Sequence, residues 1–179
     1  MIYVENLAKE ALAFGFSHAA PLDAAGLKVR DEVRDMCNAN VCRMFDKSWM
    51  CPPACGSIEE NAEILKRYRL GLLVQTTGEL EDDFDYEGMQ AAGELQKERF
   101  AAFRSVLMAE YPDLLALSSG GCTLCKKCTY PDAPCVRPNE AMASMEAFGL
   151  LVSDVCTANE LGYYYGPGTI TYTGCYLIK

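Results

Sequence analysis

Apolar residues recur near the start of the chain at Val4, Leu7, Ala8, Ala11 and Leu12, the series of one face of a 3.6-residue helix. They predict an amphipathic helix over 2–15, closed by Gly15 in the usual C-terminal position. A short strand is expected at 17–22 and a second helix at about 27–36. Ser57 and Glu60 have the spacing of a capping box ahead of Ile58, Ala62 and Leu65, so a helix should start there and end near Tyr68. Leu72, Leu73, Val74, Thr76 and Thr77 mark a buried strand over 70–77. Met89, Ala92, Leu95, Phe103, Val106 and Leu107 supply the apolar side of a long helix over about 85–111. A short strand at 114–118 follows. Pro138 and Asn139 then start a helix expected to run to Phe148, with Gly149 as its stop. A helix over about 150–161 and a strand over 170–178 complete the series. Strands alternating with helices predict an α/β or α+β fold, a small mixed sheet flanked by helices.

Two stretches break the periodicity, at about 37–56 and 120–138. Both are rich in cysteine, proline and glycine, and both read as irregular ligand-bearing loops at one end of the fold. No repeat of fixed period and no low-complexity tract is present.

With 179 residues, half of them hydrophobic and 23% charged, the chain fits a single domain, 1–179, that can bury a real core. Metal is then not the only thing holding the fold together, as it is in small zinc fingers. The longest apolar runs, 72–74 and 148–152, are far short of the roughly 18 residues of a membrane span. Glu5 and Glu10 lie where a signal peptide would be basic, which points to the cytoplasm. There thiols stay reduced, so ten cysteines are expected to be metal ligands or buried thiols rather than disulfides. The formal charge of −9 argues against nucleic acid and for docking on a basic partner surface. The acidic run over 79–87 reads as a solvated loop, with a docking patch or hard-cation site as the alternative.

Eight of the cysteines form two groups. The stronger is Cys122, Cys125 and Cys128 at successive spacings of three, followed by Cys135. One tight loop can thus present three thiolates to a compact cluster, and a more distant fourth can complete the set. The run resembles that of bacterial ferredoxins, with a longer last gap. Structural zinc, which generally uses two separated Cys-x-x-Cys knuckles, is the competing reading. Gly120 and Gly121 allow close backbone approach with N–H groups free for cluster sulfurs. Lys126, Lys127 and Arg137 could offset negative charge there, and Asn139 is expected to cap the helix that follows. The second group is Cys37, Cys42, Cys51 and Cys55, a spacing of no common type, read as a second cluster or as completion of the first.

Cys156 and Cys175 fall in apolar patterns and are expected in the core. His18, the one histidine, is expected to be structural. Tyr163, Tyr164 and Tyr165 read as a packed edge before a turn, with a substrate pocket as the alternative. Serine-hydrolase and nucleotide-hydrolysis motifs are absent.

Cys37-x-x-x-x-Cys42, Cys51-Pro52-Pro53, the Gly121-to-Cys128 loop with Cys135-x-x-Pro138, and Ser144-Met145-Glu146-Ala147 with Gly149 together carry a resemblance. The chain resembles a cysteine-rich family of predicted metal-binding proteins common in anaerobic bacteria and archaea. That resemblance implies metal binding and a small single domain, and it implies no reaction. The Cys122-to-Cys135 run and the acidic charge give the functional expectation, an iron–sulfur protein exchanging electrons with a redox partner protein. It would carry one or two clusters, 4Fe–4S in type. The alternatives are a zinc-stabilised interaction module and a cluster-dependent reductase.

Overall fold

The computed structural model of the protein describes residues 4–179. In chain order its elements are α1 (Val4–Phe14), β1 (His18–Asp23), α2 (Asp31–Asn38), α3 (Ile58–Leu65), β2 (Leu70–Glu79), α4 (Tyr86–Met108), β3 (Leu115–Leu117), α5 (Val152–Ala158) and β4 (Thr169–Ile178). The strands form one sheet in the order β1-β2-β4-β3. All three ladders are antiparallel, and the fold is α+β. The first helix matches its expectation, although its predicted first two residues, 2 and 3, lie outside the described residues. Gly15 closes it by donating to Ala11 O and Leu12 O.

The sheet is covered on both faces, which is why β2 reads in the sequence as an apolar run rather than an alternation. Leu72, Val74, Ala116 and Tyr176 face α1 and α4, meeting Leu7, Ala11, Phe100, Phe103 and Leu107. Leu73, Leu117, Cys175 and Leu177 face the other way, against Leu65, Met145, Phe148, Leu150 and Val155. The approach of α4 to β4 is close. A Cβ on Gly174 would lie 2.6 Å from Phe100 Cε2 and 3.0 Å from Leu117 O. Phe100 stacks on Tyr176 with ring centroids 4.3 Å apart, and the Tyr176 hydroxyl donates to Phe100 O at 2.8 Å.

The capping box of α3 is present: Ser57 Oγ accepts from Glu60 N at 3.2 Å, and Glu60 Oε2 accepts from Ser57 N at 2.8 Å. Ser57→Ala is expected to cost about 1 kcal/mol, read as a lower urea midpoint with an unchanged slope. The acidic run closes on itself in a similar way. Asp85 caps α4 by accepting from Gly88 N and from Glu81 N, and these donors, Gly88 first, hold its carboxyl below the usual range. Among the described residues no helix is long and apolar enough to cross a membrane.

One expected element does not form. Residues 138–148 make no helix; they run as turns and an extended strap. Ser118 N donates to Ala143 O at 2.8 Å and Met145 N to Ser118 O at 3.0 Å, a parallel bridge that continues the edge of β3. Ala143, Ser144, Met145, Ala147 and Phe148 are all buried, more than one face of a helix could place inside. Asn139 therefore caps nothing; its carbonyl accepts from Arg104 Nη1 at 2.8 Å. Gly149, at φ +83°, ends a turn, and its carbonyl accepts from Arg30 N at 2.8 Å.

Candidate metal centre

Beyond β3 the chain enters the second cysteine loop with no regular backbone to follow. Cys122, Cys125, Cys128 and Cys135, each partly exposed, all line one cavity of about 290 Å³. Lys47, Lys126, Lys127 and Arg137 line it too. The loop is tied from within and from outside. Arg137 pairs with Glu140 and donates from Nη1 to Leu124 O at 3.1 Å. From α4, Lys97 Nζ donates to Gly121 O at 3.1 Å and to Thr123 Oγ1 at 3.4 Å, the residues on either side of Cys122. Burial lowers the Lys97 ammonium from its ordinary value, with Cys122 and Glu94 acting against that shift.

The first loop is stapled onto the second. Trp49 Nε1 donates to Ala133 O at 3.0 Å, its ring meets Tyr130 edge-on at 4.9 Å, and the Tyr130 hydroxyl donates to Asp46 Oδ1 at 2.6 Å. A Cβ on Gly121 would sit 3.2 Å from Met44 Cγ. The Cys128 sulfur is the chemical consequence. Burial acts to raise that thiol, but the backbone N–H groups of Trp49, Tyr130 and Thr129 and the Ser48 hydroxyl outweigh it and hold the thiol below its usual value. N–H and O–H donors on a sulfur favour the thiolate, the form that binds metal. Trp49→Ala should release this staple, read as faster amide hydrogen exchange across 128–135 with the exchange of β2 unchanged.

The first group is arranged around the strap. Cys55 Sγ donates to Ala147 O at 3.5 Å, and Cys37 Sγ contacts Glu146 O at 4.0 Å. Arg34 spans the same ground, donating to Gly56 O and Ala147 O at 3.1 Å each. Burial raises the Cys37 and Cys55 thiols, with Arg34 opposing. Cys51 is the buried member of the first group. Burial pushes its thiol up to about 11, aided by Cys55, Cys42, Cys37 and, from the other loop, Cys122. Cys42 is exposed. Among the described residues no three His, Cys, Asp or Glu side chains converge closely enough to hold a single ion.

Cys156 and Cys175 are fully buried in the apolar core, and burial raises both thiols. His18 stacks on Tyr165 with centroids 3.9 Å apart. Tyr165 in turn donates to Gln75 Oε1 at 2.7 Å, and Gln75 Nε2 donates to Gly162 O and Thr173 Oγ1. That polar knot ties β1, β2 and β4 to the turn at 162–165, while Tyr163 and Tyr164 face solvent. Ser48, Trp49, Arg34 and Lys97 are the contributors that spacing alone missed. Only Trp49, a lone tryptophan inside a cysteine loop, carried a visible signal.

The family model described as a predicted metal-binding protein, DUF2284, matches residues 20–178. No curated protein and no solved structure matches the chain.

Proposed function

The chain belongs to that family of predicted metal-binding proteins, and on this premise we propose that it carries an iron–sulfur cluster, 4Fe–4S in type, on Cys122, Cys125, Cys128 and Cys135. The observation that carries the reading is the single cavity of about 290 Å³ lined by all four cysteines. The donor set suits the group. Soft thiolates select iron–sulfur clusters, donors on the Cys128 sulfur resemble those that tune cluster potentials, and four cationic side chains on the same wall offset a cluster's negative charge.

Cys37, Cys42, Cys51 and Cys55 are the proposed ligands of a second centre. The protein would then relay single electrons between redox partner proteins. Its charge of −9 suits a partner with a basic docking face. Zinc held by the same thiols, rigidifying the loops for a partner, is the second reading, and the family description is compatible with it.

Metal and sulfide analysis of protein purified without air tests the proposal. About four irons and four sulfides per chain, with visible absorption bleached by dithionite, are expected for one cluster, and about eight of each for two. Zinc without iron would overturn it.

A further inference from the structure

The acidic run over 79–87 and the tyrosines ahead of β4 take no part in the candidate metal centre, yet the fold sets them side by side. Glu79 and Thr169 are the last pair of the β2–β4 ladder, and just beyond it Leu80 N donates to Gly168 O at 2.8 Å. The turn that leads into α4 and the turn that leads into β4 therefore meet at one end of the sheet.

Both turns hold aromatic side chains out in water. Phe84 is 76% exposed, Tyr86 72%, Tyr164 67% and Tyr163 53%, and among the described residues no other aromatic is more than half exposed. Phe14, the next most exposed, packs its ring against Phe103. Single apolar side chains on a surface are ordinary, but four aromatic rings on two joined turns make a patch of the kind that anchors a partner. The backbone beneath the first pair is fixed, because Phe84 N donates to Asp82 Oδ1 at 2.7 Å and Tyr86 N to Phe84 O at 2.8 Å. A preordered patch loses less freedom on docking.

The charge around these rings selects the partner. Glu79, Glu81, Asp82, Asp83 and Glu87 are exposed, and among the described residues none of them is ion-paired. No lysine or arginine occurs between Arg69 and Lys97. Such a surface repels nucleic acid, an anionic membrane and a second copy of this chain, whose own charge is −9. A hard cation needs converging carboxylates, and among the described residues no three acidic side chains converge on one ion.

We propose that Phe84, Tyr86, Tyr163 and Tyr164, with the carboxylates around the first pair, form the docking face for a protein whose own face sets lysines and arginines around an apolar centre. The position suits a redox partner, and to that extent the proposal rests on the electron-relay reading. Met89 and Gln90, about one turn of α4 beyond Tyr86, line one cavity together with Gly120 and Thr123. A partner seated on the patch therefore lies beside the loop that carries Cys122.

The test is calorimetric titration of cytochrome c, a basic redox protein, into the full chain purified without air, at about 0.02 M and about 0.15 M salt. Iron is assayed on the same sample. Binding is read whether or not metal is present, so failure of the iron–sulfur reading leaves the result standing. Saturable binding that weakens as salt rises is expected. Phe84→Ser and Tyr164→Ser, which leave the charge unchanged, should each weaken it about fivefold. Asp82→Asn combined with Asp83→Asn should weaken it about tenfold at the lower salt. Glu59→Gln combined with Glu63→Gln removes two charges from α3, which leads into the opposite end of β2, and should change it by less than about twofold. Circular dichroism checks that the variants fold. A loss in either aromatic variant that the α3 variant does not share supports the proposal. No saturable binding, no loss in either aromatic variant, an equal loss in the α3 variant, or calcium displacing cytochrome c from the unsubstituted chain at matched ionic strength would overturn it.

Discussion

Serine in place of Cys128 is expected to strip the proposed cluster of the second cysteine loop from the protein while leaving its fold in place. A serine hydroxyl is a hard, poorly ionised ligand where a cluster requires a soft thiolate. The N–H and O–H groups of Trp49, Tyr130, Thr129 and Ser48 hold this thiol below its usual value, which favours an anion that serine does not supply at neutral pH. With a cluster on each loop, iron per chain should fall by about half, from about eight to about four, and with a single cluster it should be lost. The melting temperature should move by no more than about 4 °C, because neither cysteine loop contributes a strand to the sheet and the two apolar clusters on its faces do not depend on the cavity. Cys175→Ser is the reciprocal experiment. Cys175 is fully buried beside Leu73 and Leu117, so a hydroxyl there should cost about 1–3 kcal/mol of stability and leave the iron in place. An iron content undiminished in Cys128→Ser would remove that residue from the ligand set.

Phe100→Ala should have the largest effect on stability, a loss of about 3–5 kcal/mol. The ring is fully buried, stacked on Tyr176 and lodged over Gly174, so its removal forfeits apolar burial and leaves a cavity the sheet cannot close. Denaturant titration reads the change directly. Gly174→Ala should destabilise as well, since its new methyl would press on the same ring and on the Leu117 carbonyl. In the double variant the two losses should sum to less than their separate values by at least about 0.5 kcal/mol. Additive losses would mean that the ring and the glycine are not the contact that sets the spacing of α4 from the sheet.

What was legible in the sequence was what is local. The period of α1, the Ser57–Glu60 box and the apolar run of β2 each depend on neighbours within a turn or two, and each stands where expected. The three-residue spacing of Cys122, Cys125 and Cys128 likewise marked a loop able to turn thiols to one side, and all three line the same cavity with Cys135. The 138–148 strap shows where this stops. Its composition is compatible with a helix, but the free edge at Ser118 offers backbone hydrogen bonds to Ala143 and Met145, and burying Ala143, Ser144, Met145, Ala147 and Phe148 outweighs local propensity.

The cysteine content by itself determined that the chain has two candidate ligand loops, because ligand chemistry belongs to residue type. Only the tertiary structure decided that Trp49 and Tyr130 staple one loop to the other, and that Lys97 reaches across from α4 to the residues beside Cys122. Those contacts join residues 24 to 84 positions apart, and no periodicity reports a distance that the packing of helices on a sheet creates.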